Sequence, residues 1–587
     1  MQIFLQTPAT SGLAPLDHFV IGVYLIAMLS MGFVIAFRQK STDDFFLAGR
    51  NLPAWAVGIS LMASLLSTIT YLATPGEMFR SGPSYMLRVL GIPLVLLSTW
   101  FIWIPFFMRL RLTSAYEYLE RRFNYTTRAM AAFFCLILIL GWMAVVVLTA
   151  SKAMTEIVQL DLDWFFGKNI AATQTTEDGS SIFVSKEMLN APEIAGKLMD
   201  GADDPSSSYG RIYQLLTPEE RTALSESSNL PETLRDIFNR LLLAKDLYDK
   251  NVWSDEMLSP TARNFTGVDR DKLTPQELTH FNRAIIESTF PATVAATTPA
   301  YADADMHALI ISIGLFSVLY TTLGGLRAVV WTDVVQFVVL MLGAFLTIGI
   351  VSWETGSSPS DWLQVVSERK YEKVDWYSFD IADRSNVLFI IIGMFFWTFC
   401  THGSNQVALQ RYFATRNVRE GRKSYLVNAI ADVTLTVVLG CVGMSLVYFV
   451  LHSSLLPATP DLHSAVDAVR NEAQDSVFPQ FIRVGLPAGI RGLVVAALFA
   501  AAMSTIDSGA NSISTIVTVD YYRPFSKGQT TAAGELRLAR ALTASMGLLI
   551  VISTIFIYHL AKGSDLITLC QKGFNCFLGP LGGLFFV

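Results

Sequence analysis

The chain has 587 residues, of which 52% are hydrophobic and only 16% are charged. Soluble globular proteins carry about a quarter charged residues, so this composition is depleted in charge. The apolar residues also come in nearly uncharged runs of about 20, the length that a helix needs to cross a bilayer. These features exclude a soluble enzyme, a nucleic-acid-binding protein and a secreted disulfide-stabilised domain, and they predict a polytopic helical membrane protein.

Eleven membrane spans are predicted along the chain. They cover residues 17–38, 53–80, 84–108, 128–157, 306–326, 331–352, 386–410, 424–451, 484–521, 537–560 and 565–587. Lys and Arg cluster in the loops 38–50, 109–128, 411–423 and 523–540, whereas the first 16 residues have none. By the positive-inside rule these loops are cytoplasmic, which puts the N-terminus and the segment 158–305 on the extracytoplasmic side. Because the last span is still apolar at Val587, we also expect the native chain to continue.

The long segment between the fourth and fifth spans differs from the rest in charge. Between residues 160 and 307 it carries 24 acidic against 13 basic residues. Thr217 and Thr274 are each followed by Pro and then Glu at the spacing of a helix N-cap, and residues 230–248 have a helical apolar pattern. The segment is predicted to be a small helical insertion with linkers at 173–181 and 289–302. It acts either as a lid or as a module that captures solute or a partner.

The second span contains a helix-breaking sequence. A run of small and apolar residues is followed by Thr74, Pro75, Gly76 and Glu77. Pro removes a backbone donor and Gly favours non-helical angles, so we expect the helix to break near Pro75. Broken helices at mid-membrane coordinate ions and solutes in secondary transporters. A proline kink in a purely structural helix is the alternative.

The ninth span concentrates polar oxygens among small residues. Ser504, Thr505 and Ser508 are spaced so that their hydroxyls can share a helix face. Asp507 adds a charge within the membrane, where charges are costly and usually functional. The pattern suits a dehydrated monovalent cation. The alternative is that the hydroxyls bond to their own helix and Asp507 faces a cytoplasmic vestibule.

Five blocks in order resemble the sodium:solute symporter family. They are Thr42–Pro53, Ala73–Glu77, Gly324–Gln336, Asn405–Tyr412 and the Ser504-Thr505 helix. The resemblance extends over the chain apart from the insertion. It implies an all-α, leucine-transporter-like fold of two inverted five-helix repeats, about 53–352 and 386–587, after one extra N-terminal helix.

The resulting domain organisation has four parts. Residues 1–157 hold the extra helix and the first three core helices, and 158–305 form the acidic insertion. Residues 306–352 supply core helices four and five, and 386–587 form the second repeat, cut short at its end.

The resemblance also implies the coupling-ion sites. The first sodium site uses the backbone carbonyls of Leu66, Ile69 and Ala501 with the hydroxyls of Ser504 and Thr505. A second sodium site, present in some members, would use Asp333 with Ser508 and Asp507. Family members have a hydroxyl residue at the position of Asp507, and Asp333 is equally suited to capping a helix at the membrane surface.

A solute pocket is expected between the broken helix and its repeat mate. Its predicted lining is Thr70, Ala73, Thr74, Trp397, Thr401, His402 and Asn405. His402 is either a donor to an anion or a satisfied interior histidine, and Trp397 is either a packing residue or a stacking platform for a sugar ring.

The predicted function is secondary active transport that couples inward Na⁺ movement to uptake of a small solute. The motifs are closer to the branch of the family that carries monocarboxylates, vitamins and iodide, so an anion such as a monocarboxylate is predicted. A sugar or sialic acid symporter, or a transporter-like nutrient sensor, are the alternatives. No catalytic constellation and no cofactor are expected; the partners are Na⁺, the solute and the bilayer of the cell membrane, with no nucleic acid. The oligomeric state is left open.

Overall fold

A computed structural model describes residues 13–37, 39, 41–80, 82–158, 170–175, 181–185, 303–368, 387–452, 477–526, 531–560 and 576–585. The chain divides into two compact units, Met1–Leu160 with His307–Val587, and Asp161–Met306. Helices are numbered below in chain order among the described residues.

The first part of the larger unit is mainly helical in its described residues. Its helices are α1 (Pro15–Ala36), α2 (Thr42–Leu47), α3 (Ala54–Leu65), α4 (Thr68–Arg80), α5 (Ile92–Ser98), α6 (Ile104–Leu110), α7 (Glu117–Arg122) and α8 (Tyr125–Val158). A 3₁₀ segment Gly82–Gly91 and a π turn Thr99–Trp103 join α5 and α6 into one span from Met86 to Leu110.

The second part continues in the same way. Its helices are α9 (Asp303–Thr355), α10 (Pro359–Glu368), α11 (Val387–Ser404), α12 (Gln406–Phe413), α13 (Val418–His452), α14 (Val477–Gly485), α15 (Ile490–Ile516), α16 (Arg523–Ser526), α17 (Ala532–Leu560) and α18 (576–583). A π turn, Val517–Tyr522, joins α15 to α16.

The smaller unit is described at an antiparallel hairpin and at the first residues of α9. Strand β1 (Ile170–Thr175) pairs with β2 (Ser181–Ser185), with Thr175 opposite Ser181. The prediction of a linker over 173–181 is wrong in this part, because Thr173 to Thr175 belong to a strand whose backbone groups pair with β2. Both strands contain β-branched residues, which favour a pleated backbone: Ile170, Thr173 and Thr175 in β1, and Ile182 and Val184 in β2. The predicted insertion helices lie outside the described residues.

The helices confirm a polytopic membrane protein. Eight described helical segments are long and apolar enough to span a membrane, and the bent pair α3–α4 makes a ninth. Helix α9 contains two of the predicted spans, because Gly325 interrupts it with φ 51° and ψ −160°. A side chain there would meet the Phe45 carbonyl oxygen at 2.6 Å from its Cβ, so only glycine fits. The last predicted span is described only from residue 576.

Helix α15 lies at the centre of the bundle. In the most apolar 18-residue stretch of this span, 89% of the residues are buried, against 17% for α1 and 28% for α17. Small residues allow close helix contact elsewhere: a Cβ on Gly58 of α3 would lie 2.4 Å from the Ser424 carbonyl oxygen of α13. Such small-residue interfaces are typical of membrane helices, where backbone proximity replaces the hydrophobic driving force.

The break in the second span lies earlier than predicted. Helix α3 ends at Leu65 and α4 begins at Thr68, and the two are bent by 69°. Pro75 lies inside α4 without ending it. Neighbouring helices pack against α4. A membrane helix enclosed by other helices tolerates the loss of the single backbone hydrogen bond that proline removes.

Candidate sodium site and solute cavity

The first helix break frees backbone oxygens beside α15. Leu66 has an extended backbone, with φ −74° and ψ 119°, so its carbonyl leaves the helical ladder. This carbonyl oxygen lies 3.0 Å from Oγ1 of Thr505. The carbonyl oxygen of Ala63, near the end of α3, lies 3.0 Å from Oγ of Ser504.

The two hydroxyls share a third carbonyl on their own helix. Oγ of Ser504 lies 3.1 Å from the oxygen of Ala501, and Oγ1 of Thr505 lies 3.0 Å from the same atom. Two hydroxyl hydrogens therefore face three carbonyl oxygens, and all of Ser504 and Thr505 is buried. Five converging oxygens with two hydrogens leave lone pairs free, a donor set that fits a hard cation such as Na⁺.

The structure thus brings together four of the five residues expected at the first sodium site, Leu66, Ala501, Ser504 and Thr505. Ile69 lies on the first turn of α4, and no described hydrogen bond joins it to Ser504 or Thr505. Ala63, which the sequence analysis missed, takes part through its carbonyl. A break near Pro75 would leave the Ala63 carbonyl within a continuous helix, so a break at that position gives no reason to expect Ala63 at the site.

A second broken helix has the same local geometry. Asn405 separates α11 from α12 with φ −82° and ψ 121°, close to the angles of Leu66. Its side-chain oxygen accepts a hydrogen bond from the backbone N–H of Val407 at 2.9 Å and so caps α12. Paired breaks at corresponding positions of two repeats are the arrangement that binds ions and solutes at the midplane of secondary transporters.

A small cavity lies next to both breaks. It is lined by Ser64, Leu65, Trp142, Met143, Trp397, Thr401, Asn405 and Val407. The lining comes from α3, α8, α11 and α12, and it contains no charged side chain. Two indoles and aliphatic groups provide apolar surface, whereas Ser64, Thr401 and Asn405 provide polar groups.

The cavity includes only part of the predicted solute pocket. Trp397, Thr401 and Asn405 line it, but Thr70, Ala73, Thr74 and His402 do not. The expectation for the three residues of α4 depends on a break at Pro75. Since the break lies at Leu66, the residues that reach the cavity are instead Ser64 and Leu65, at the end of α3. Thr74 is fully buried elsewhere along α4.

His402 is a packed interior residue. Its exposed fraction is 1%. The Tyr412 hydroxyl lies 2.8 Å from its Nδ1, and the Tyr425 ring meets it edge-on at 4.9 Å between centroids. Neighbouring tyrosines enclose the imidazole, and these contacts favour the alternative of a satisfied interior histidine.

Asp333 and Ser508 belong to one buried polar network. Oδ2 of Asp333 accepts hydrogen bonds from Ser60 at 2.6 Å and Ser64 at 3.1 Å, and it lies 3.3 Å from the Arg411 guanidinium. Arg411 also donates to Ser508 at 2.5 Å. Oδ1 of Asp333 is buried with no hydrogen-bond partner among the described residues. Arg411, which the sequence analysis did not single out, supplies the positive charge here.

Asp507 points away from that network. Its carboxylate accepts hydrogen bonds from Ser317, Tyr320 and Thr321, all on α9, the last at 2.8 Å. The expected grouping of Asp333, Asp507 and Ser508 is therefore divided, because residues 507 and 508 lie about 100° apart around a helix and face different neighbours.

A separate network closes one end of the bundle. Oδ1 of Asp520 lies 2.7 Å from Nε of Arg128, and Oδ2 accepts a hydrogen bond from Ser114 at 2.6 Å. Gln406, at the start of α12, accepts from the Ala115 N–H and donates to the Thr113 carbonyl, both at 3.0 Å. The segment 113–116 thereby connects the second helix break to the end of α15. These residues lie in or beside the loops that are rich in Lys and Arg and are therefore predicted to be cytoplasmic.

Comparison with known proteins agrees with this geometry. The model of the sodium:solute symporter family matches residues 45–167 and 300–587. The chain is 24% identical over 571 residues to the sodium/sialic acid symporter NanT of Aliivibrio fischeri, covering 97% of this chain and 81% of that protein. It is also 24% identical over 580 residues to a sodium-dependent multivitamin transporter of Oryctolagus cuniculus, covering 98% of this chain and 66% of that one.

A solved structure has the same fold. The substrate-bound, outward-open structure of a Na⁺-coupled sialic acid symporter aligns with a TM-score of 0.63 and 22% identity, covering 97% of this chain and 86% of that one. The predicted leucine-transporter-like fold and the predicted family are confirmed. The prediction of a transporter rather than an enzyme is confirmed as well, since the family consists of secondary transporters that use Na⁺ as coupling ion. With the family model matching most of its length, the chain belongs to the sodium:solute symporter family.

Proposed function

We propose that one Na⁺ binds between the first helix break and α15, held by the carbonyls of Ala63, Leu66 and Ala501 and the hydroxyls of Ser504 and Thr505. The observation that carries this proposal is the convergence of the Thr505 hydroxyl and the Leu66 carbonyl, 3.0 Å apart, at the break. A cation there attracts oxygens from two helices at once, so it stabilises the conformer in which α3 contacts α15.

Coupling follows when Na⁺ and solute favour the same conformer. The cavity begins at Ser64 and Leu65, immediately before the break, so an ion that fixes Leu66 also fixes part of the solute site. Movement of one charge inward across 100 mV supplies about 2.3 kcal/mol. A tenfold solute gradient requires about 1.4 kcal/mol, so one Na⁺ is sufficient to drive accumulation.

The cavity lining favours a polyhydroxylated solute of the sugar type over a short monocarboxylate. Trp142 and Trp397 offer aromatic faces, and Asn405, Thr401 and Ser64 offer hydrogen-bonding groups. No Lys or Arg lines the described cavity, so a small carboxylate would find no side-chain counter-charge there. The alternative of a sugar symporter is accordingly preferred to the predicted monocarboxylate. Sialic acid carries a carboxylate of its own, and what supports it is the similarity to a sodium/sialic acid symporter and not the cavity lining.

The deciding experiment is uptake into liposomes that contain the purified protein, under an imposed inward Na⁺ gradient. Glucose, galactose, sialic acid, lactate, pantothenate and iodide are compared. Na⁺-dependent accumulation of a sugar or sialic acid is the expected result. Accumulation of lactate or iodide alone would refute the solute class, and absence of any Na⁺-dependent uptake or binding would refute the coupling.

Two variants test the residues. Ser504→Ala combined with Thr505→Ala removes both hydroxyl ligands and is expected to abolish Na⁺-dependent uptake. Ser514→Ala is the matched control, because Ser514 is a buried serine on the same helix whose hydroxyl bonds to the Ala539 carbonyl at 2.9 Å, away from the break. Trp397→Ala should raise KM for the solute, whereas Phe396→Ala, exposed on the outer face of α11, should not.

A further inference from the structure

Two histidines meet at the ends of two neighbouring membrane helices. His307 lies near the start of α9 and His559 near the end of α17, and their Nε2 atoms are 3.2 Å apart. The two helices pack closely, because a side chain at Gly547 of α17 would overlap Val318 of α9. The packing of two long helices, and not a loop, therefore brings the two imidazoles together.

Both imidazoles can be reached from water. His559 is exposed and His307 is half-buried. They lie at the ends of the predicted spans 306–326 and 537–560 that are expected on the extracytoplasmic side, away from the loops rich in Lys and Arg. The predicted acidic insertion 158–305 ends just before His307. An ion bound by this pair would come from the external solution and would lie where the insertion rejoins the membrane helices in the sequence.

The distance between the two nitrogens suits one transition-metal ion. Two imidazole nitrogens bound at about 2.0–2.1 Å to a tetrahedral ion lie roughly 3.3–3.4 Å apart. The observed separation of the Nε2 atoms, 3.2 Å, is close to this value. Neutral imidazole is a preferred ligand of Zn²⁺, Cu²⁺ and Ni²⁺, whereas Mg²⁺ and Ca²⁺ require oxygen ligands. The donor atoms therefore select a different class of cation from the oxygens at the first helix break.

An aromatic ring packs against both imidazoles. The Tyr558 ring meets the His307 ring edge-on at 5.8 Å between centroids, and it lies 5.1 Å from the His559 ring. These contacts restrict the rotation of the two histidine side chains. Less conformational freedom is then lost when an ion binds, which favours binding.

The simpler interpretation of the pair is a hydrogen bond between two neutral imidazoles. One Nε2 then carries the hydrogen and the other accepts it. A metal ion would take the place of this hydrogen, which moves to Nδ1 of the same ring, so both imidazoles stay neutral and no proton is released. The hydrogen-bonded pair is thus compatible with a metal-free form of the site, and the response to added metal distinguishes the two interpretations.

We propose that His307 and His559 bind one divalent transition-metal ion of the Zn²⁺, Cu²⁺ or Ni²⁺ type through their Nε2 atoms. Among the described residues no third His, Cys, Asp or Glu joins them, so water completes the coordination. The bound ion links α9 to α17 and stabilises the folded chain over the unfolded one. The inference does not depend on the proposed function, since it uses other residues and another class of ion.

The test is titration of the purified full chain, without an affinity tag, with ZnCl₂ and CuCl₂. Zn²⁺ is expected to raise the melting temperature of the wild type, and the electron paramagnetic resonance of bound Cu²⁺ should show coupling to two nitrogens. His559→Ala should weaken binding by at least about tenfold and leave coupling to one nitrogen. His18→Ala is the matched control, because that exposed histidine of α1 bonds to the Ala14 carbonyl at 3.0 Å. It should bind both metals as the wild type does.

Equal binding of Zn²⁺ and Cu²⁺ by the wild type and His559→Ala would overturn the inference and leave only a hydrogen-bonded pair. Bound Cu²⁺ without nitrogen coupling, or displacement of Zn²⁺ by excess Mg²⁺, would overturn it as well. If His307→Ala does not fold, His559→Ala decides alone, because its side chain is the more exposed of the two. The Ser504→Ala, Thr505→Ala variant should bind Zn²⁺ normally, so failure of the sodium site and failure of this site are distinguishable.

Discussion

Single residues in this protein acquire their roles from their neighbours. Ser504, Thr505, Asp507 and Ser508 are almost consecutive, yet they face three surroundings. The first two face backbone carbonyls, Asp507 faces the hydroxyls of α9, and Ser508 faces Arg411. One helix thus separates a candidate ion site, a carboxylate that is bonded to hydroxyls, and a network in which an arginine balances an aspartate.

His402 tests the difference between a ligand and a packing residue. In His402→Phe the buried Tyr412 hydroxyl loses its described partner, which costs about 1–3 kcal/mol for an unsatisfied polar group. We expect a lower melting temperature with an unchanged KM for the solute. His402→Gln, which retains a hydrogen-bonding group, should recover part of the stability. A raised KM at an unchanged melting temperature would instead place His402 in the solute site.

At the scale of elements, the second span breaks at a different position from the one that its proline predicts. Pro75 was expected to create the break but lies within α4. Pro75→Ala should therefore leave the break at Leu66 and Ser67 intact and preserve Na⁺-dependent uptake. Uptake kinetics and the Na⁺ concentration at half-maximal rate measure this. A large change in the Na⁺ dependence would mean that the proline sets the position of the break.

The segment 113–116 should respond to changes in the second break. Gln406→Leu removes two buried hydrogen bonds, to Ala115 and Thr113. If these stabilise the segment by about 1.4 kcal/mol together, amide hydrogen exchange across 113–116 should rise about tenfold. Hydrogen exchange with mass spectrometry measures it, and Ser445→Ala on α13, whose hydroxyl bonds within its own helix, is the control. Unchanged exchange would show that Gln406 does not hold this end closed.

At the scale of the whole molecule, the residues of the proposed transport site and the residues of the acidic insertion 158–305 lie in different parts of the sequence. Every residue of the candidate sodium site and of the cavity belongs to the unit Met1–Leu160 with His307–Val587. Deletion of residues 173–300 with a short linker should leave Na⁺-dependent uptake measurable. Uptake by the deletion variant relative to its amount in the membrane is the readout. Complete loss of uptake in a protein that folds and binds Na⁺ would assign the insertion a part in solute capture.

The sequence by itself determined the class of this protein. Runs of about 20 apolar residues and their charged boundaries follow from the thickness and polarity of the bilayer, so the helical membrane architecture can be predicted from local composition. The motif blocks in order determined the family, and the small and hydroxyl residues of α15 pointed to the helix of the proposed ion site. Each of these signals is contained in a contiguous stretch of chain.

The tertiary structure decided what contiguous patterns cannot contain. Whether a proline ends a helix depends on the helices packed around it, and here the break lies at Leu66 instead. The partner of a buried charge comes from a distant segment: Arg411 lies 78 residues from Asp333, and Thr321 lies 186 residues from Asp507. Which carboxylate is already neutralised is a property of packing, so only the folded chain distinguishes Asp507 from Asp333.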